Sequence, residues 1–102
     1  MDRVVRHKDF LTRVSVSSAV QRKQIIRNAS SDELKALFEL FENLRSIDVT
    51  VSEKKSFKKF LKSLKKFYKD KWTLKSFKSF LLKNPTLLPV IIFTILSKVV
   101  NV

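Results

Sequence analysis

Twelve lysines fall within residues 52–84, and eight of them, Lys54, Lys55, Lys58, Lys59, Lys62, Lys65, Lys66 and Lys69, recur at intervals that a helix gathers onto one broad stripe. A row of ammonium groups displaces the counterions of a polyanion and neutralises its phosphates without touching a base. Lysine is a point charge without the planar fork by which arginine grips guanine, so the chemistry expected is sequence-independent binding, double-stranded DNA being the natural ligand. Lys75 and Lys78 extend the set, and Arg22, Lys23 and Arg27 form a secondary basic group. Most charge runs are simply solvated helix faces; twelve lysines against two acids, Glu53 and Asp70, argue for more than that.

Other chemistries find little to work with. The chain has no cysteine and no glycine, which removes thiolate metal sites, disulfides, cysteine nucleophiles, the P-loop and the dinucleotide fingerprint. His7 is the only histidine and makes no metal site alone. Glu39 and Glu42 read as solvated, and the serines have no base partner beyond His7. The expectation is a non-enzyme with no cofactor and no metal. No signal peptide is expected either, because Met1-Asp2-Arg3 leads into scattered charges rather than an apolar run.

The 102 residues carry a formal charge of +13, with 44% hydrophobic and 30% charged side chains, enough apolar content for one small core. The charge divides into regimes: +5 over residues 1–29, −3 over 30–51, +10 over 52–84 and +1 over 85–102. The organisation expected is an N-terminal part (1–51), a lysine-rich part (52–84) and an apolar end (85–102), together one folding unit.

The elements that must position the lysines are all helical. Val4, Val5, Phe10, Leu11 and Val14 suggest a first short helix, and Val14-Ser15-Val16-Ser17-Ser18 reads as a break. Ser17 or Ser18 then caps a helix ending near Asn28. Ser30-Ser31-Asp32-Glu33 is a capping box opening a helix over 31–46, with Leu34, Leu37, Phe38, Phe41 and Leu44 at helical spacing. A second box, Thr50-Val51-Ser52-Glu53, opens a basic helix over 53–69 whose apolar side is Phe57, Phe60, Leu61, Leu64, Phe67 and Tyr68. That Phe stripe reads as core rather than as a platform for bases, and Trp72, at the next break, as a packing anchor. Thr73 caps a short helix through Leu74, Phe77, Phe80, Leu81 and Leu82, which stops at Asn84 before Pro85, with Asn84 expected in the left-handed conformation.

Thr86 can cap the last helix, over 86–100, with Pro89 in its first turn. Its apolar residues, Leu87, Leu88, Val90, Ile91, Ile92, Phe93, Ile95 and Leu96, allow two readings. They can form a membrane- or partner-docking surface, working with the basic amphipathic helix at an anionic bilayer. They can equally form the central helix of a small bundle. About 20 apolar residues are needed for a span, and this stretch is shorter.

The order of features resembles a known group. Gln21-Arg22-Lys23-Gln24-Ile25-Ile26-Arg27-Asn28-Ala29-Ser30 runs into Asp32-Glu33-Leu34-Lys35-Ala36-Leu37 and then Glu42-Asn43-Leu44, followed by a lysine-rich helix, a second basic helix and an apolar end. Over roughly residues 10–100 this resembles small basic proteins of adenovirus-like elements of animals (Maverick/Polinton and adintovirus types), themselves likened to the precursor of the adenovirus core protein X, or mu. The resemblance implies a virion component that binds packaged DNA and acts in the virion and host nucleus, with a membrane-active C-terminal part. Outside a viral setting an intracellular protein is expected. The group usually carries a Gly-Gly pair before the apolar end, resembling a protease site; here Lys83-Asn84-Pro85 stands in its place.

The expectation is therefore an all-α bundle of five or six short helices, its core built from 31–46, 53–69 and 86–100. The expected function is compaction of viral DNA. A membrane-active protein and a helical interaction module, with self-association, are the alternatives.

Overall fold

A computed structural model describes residues 2–44, 55, 58–69 and 71–99, with backbone alone for Lys59, Leu61, Ser63 and 97–99. The described residues form seven α-helices and no strand: α1 Asp2–Arg6, α2 Lys8–Val16, α3 Ala19–Arg27, α4 Ser31–Leu44, α5 Leu61–Lys69, α6 Leu74–Lys83 and α7 Leu87–Val99, with a 3-10 turn, Lys58–Phe60, leading into α5. The all-α bundle expected from the sequence is what forms. The radius of gyration, 12.6 Å, matches the value of about 13 Å for a globule of this length.

Local chemistry sets the helix starts. The Ser30 hydroxyl accepts from the Glu33 amide at 3.1 Å, and the Glu33 carboxylate accepts from the Ser30 amide at 2.8 Å. Ser18 and Gln21 make the same reciprocal pair at the start of α3, and Thr73 with Ser76 at the start of α6. The box at Thr50–Glu53, Lys54 and Phe57 lie outside the described residues.

Three local expectations are corrected. The first helix is two, divided at His7, although the helical bonds His7 N–H to Arg3 O and Leu11 N–H to His7 O persist across the joint. The β-branched, serine-rich stretch after Val14 does not break the chain until Ser17. Ser15 and Ser17 return their hydroxyls to the carbonyls of Thr12 and Val14, at 2.8 Å each, so the serines serve the helix end instead of dissolving it. Asn84 is not left-handed, and no described residue has positive φ. Asn84, before Pro85, lies outside the helical region at φ −129°, ψ 54°, and its amide side chain donates to Phe80 O at 3.0 Å.

The core is wider than expected, because the N-terminal helices belong to it. Val4, Phe10, Leu11, Val14 and Ile26 are buried with the apolar faces of α4, α5, α6 and α7. The last helix lies chiefly against α2 and also against α4. Leu87, Leu88, Ile91, Ile92 and Ile95 are fully buried, each contributing about 1.5–3 kcal/mol. Val90 and Leu96 are half-buried, and only Phe93, at 74%, is well exposed. Of the two readings of this segment, the structure takes the central helix of a bundle, so these residues do not form an open docking surface.

Arg22 fixes that arrangement. It is 6% exposed, and its guanidinium donates to three carbonyls: Nε to Val14 O at 2.9 Å, one terminal nitrogen to Pro85 O at 2.8 Å and the other to Ser17 O. It joins the end of α2 to the link before α7. Burial lowers its pKa from the ordinary arginine value. Its assignment to a phosphate-binding group is therefore corrected: every arm of the fork is used inside the protein.

Replacing Arg22 with Met leaves three carbonyls without that donor and is expected to cost about 2–4 kcal/mol in urea unfolding, and Arg22→Lys nearly as much, because one ammonium cannot reproduce the fork. Wild-type stability in both variants would remove Arg22 as the tie.

Candidate nucleic-acid interface

The lysine helix α5 is held by its aromatic side. Phe67 is the hub, with ring centroids 5.5 Å from Phe38 and 4.9 Å from Phe41 of α4, and 5.9 Å from both Phe77 and Phe80 of α6. Trp72 stacks on Phe67 at 5.3 Å, and its indole N–H donates to Phe67 O at 2.7 Å, the packing anchor its position suggested. The Tyr68 hydroxyl donates to Phe41 O at 2.8 Å, satisfying one of the last four carbonyls of α4. The described part of the Phe stripe is thus core, as expected, with Leu64 and Phe67 buried and Phe60 half-buried.

Lys62, Lys65, Lys66 and Lys69 are all exposed, as are Lys55 and Lys58 before them. At about 100° per residue, the four on α5 share one arc opposite Leu64 and Phe67. Lys54 lies outside the described residues, and of Lys59 only the backbone is described. Among the described residues none of the lysines of this arc is paired with a carboxylate.

The ion pairs among the described residues lie elsewhere. Asp32, at the start of α4, receives Arg3 Nε at 3.3 Å, an Arg6 guanidinium nitrogen at 3.6 Å and His7 Nε2 at 2.5 Å. The hydrogen bond from His7, with Arg3 and Arg6 adding to it, holds the Asp32 carboxyl below its usual range against a smaller opposing effect of burial. Asp32 thus takes up Arg3, Arg6 and His7, and among the described residues the exposed lysines of α5 form no such ion pair. The partner of His7 comes from 25 residues away in the chain.

The secondary group does not assemble. Arg22 is buried, Lys23 is half-buried and Arg27 is exposed. Lys78 is also half-buried, and its ammonium donates to Arg27 O at 2.7 Å, tying α6 to the end of α3. Glu39 is half-buried rather than solvated, while Glu42 is exposed.

A groove of about 690 Å³ runs between α5 and α6. Among the described residues its charged lining is Lys62 and Lys66 from α5 with Lys75 and Lys83 from α6, with no carboxylate. Trp72 and Phe80 supply an aromatic floor, with Thr73, Ser76, Ser79 and Asn84 around it. Lys83, Ser76 and Ser79 were not singled out in the sequence, although their spacing with Lys75 on one side of α6 was a visible signal.

Comparison of the chain with protein-family models, with curated proteins and with solved structures finds no match.

Because its folded pKa lies below the ordinary 3.8, Asp32 adds stability that is complete above that value and is lost as pH falls through the folded one. Asp32→Asn is therefore expected to lower the denaturation midpoint at neutral pH, with the gap to wild type closing as the pH falls through the lowered folded pKa. A gap that persisted unchanged into strong acid would contradict the ion-pair account.

Proposed function

We propose that this chain is a non-enzymatic, sequence-independent binder and compactor of double-stranded DNA, acting through the exposed lysine arc of α5. The observation that carries this is the arc itself: exposed ammonium groups on one side of a helix whose other side is locked into the core, none of them in an ion pair among the described residues. Neutralised phosphates repel one another less, which is how such a surface condenses a duplex. The resemblance to basic proteins of adenovirus-like elements supports a virion and host-nuclear setting.

Insertion of the last helix into a bilayer has less support, since its large aliphatic residues face the bundle. No single described helix is long and apolar enough to cross a membrane; α6 and α7 reach that length only as a pair bent by 111°.

Mobility shifts against rising salt test the proposal. Contact with four to six phosphates gives a log–log slope of about −4 to −5, and replacing Lys62, Lys65, Lys66 and Lys69 with Gln reduces its magnitude by about 3–4. Unrelated duplexes of equal length bind alike. An affinity indifferent to salt, or a slope unchanged in the fourfold variant, would refute the interface.

A further inference from the structure

The geometry points to a second ligand for this chain: a phosphate-bearing nucleotide seated in the groove between α5 and α6, its base against Trp72 and Phe80 and its phosphates on Lys62, Lys66, Lys75 and Lys83. Three observations converge on it. First, four ammonium groups from two helices line one concavity, with no carboxylate among the described lining residues, which gathers charge more tightly than a solvated face does. Second, the floor is aromatic. Trp72 is half-buried, fixed by its N–H to Phe67 O and by stacking on Phe67, so the part of the ring that lines the groove is already set in position. Third, the volume, about 690 Å³, is that of a small-ligand site.

The mixed lining selects the ligand class. An inorganic phosphate chain uses the ammonium groups and leaves the aromatic floor in water. A duplex keeps its bases stacked on one another and offers no ring face to Trp72. A nucleotide with an unstacked base uses both. The hydroxyls of Thr73 and Ser76 are engaged with each other at 3.1 Å, which leaves exposed Ser79 as the groove's hydroxyl for the ligand. The same chemistry is offered by a free nucleotide and by an unpaired nucleotide in a strand. The groove shares Lys62 and Lys66 with the outer arc, whereas Lys65 and Lys69 belong to the arc alone and do not line the groove.

Trp72 is the only tryptophan, so its emission reports on the groove directly. The full chain is titrated with ATP, with a short single-stranded thymidine oligonucleotide and with tripolyphosphate, at constant ionic strength. A saturable, single-site change is expected with ATP or the oligonucleotide, and binding of tripolyphosphate at least about tenfold weaker, the worth of one base–aromatic stack. Tighter ATP assigns the site to free nucleotides, and a tighter oligonucleotide to unpaired strands. Ser79→Leu with Lys83→Gln fills the groove and removes one charge, and weakens nucleotide binding about tenfold or more; Lys83→Gln alone also weakens it, should the leucine disturb α6. Lys65→Gln with Lys69→Gln weakens duplex binding and leaves nucleotide binding intact, so the two sites fail separately. No saturable change, equal binding of tripolyphosphate and ATP, or wild-type affinity in both groove variants would overturn the assignment.

Discussion

The fold turns on one buried cation. Arg22 reaches from α3 to carbonyls at the end of α2 and in the link between α6 and α7. A buried guanidinium is tolerated only when its donors are met, and here three carbonyls of chain ends and turns meet them. Those carbonyls in turn need donors, since helix ends and loops leave them outside the helical pattern. The contact therefore holds together two segments that are far apart in sequence, and it sets where the last helix enters the bundle. With that helix against α2 and α4, its isoleucines and leucines become core.

Once the apolar end is inside, the surface that remains is defined by charge. Asp32 gathers Arg3, Arg6 and His7 at the joint between α1 and α4, where it also lies in the first turn of α4 and favours the positive end of that helix. Basic residues near the N-terminus are thus partly neutralised within the fold, whereas the lysines of α5 project outward. Phe67, surrounded by rings from α4 and α6, keeps α5 from turning those lysines inward.

What was legible in the sequence was local. The Ser30–Glu33 box, the cap at Thr73, the apolar side of α4 and the anchoring of Trp72 follow from spacing and side-chain chemistry, and all are found. What was not legible required tertiary partners. Arg22 looks like any surface arginine until Val14, Ser17 and Pro85 are brought around it. Lys78 looks like one more phosphate contact until Arg27 O is within 2.7 Å. The last helix is apolar on every side, so periodicity could not separate a bilayer from a bundle, and its main neighbour, α2, lies some 70 residues earlier in the chain. At Asn84 the cap rule for asparagine competes with the restriction imposed by the following proline, and the proline prevails.

Hydrogen exchange on the whole chain, free and with duplex DNA, probes most directly the claim that a buried last helix supports an open lysine face. The account predicts that amides within 91–96 are among the slowest in the free protein and do not change on adding DNA, while protection rises at 61–69. Fast exchange at 91–96 in the free chain, or DNA-induced protection centred there instead of on α5, would contradict it.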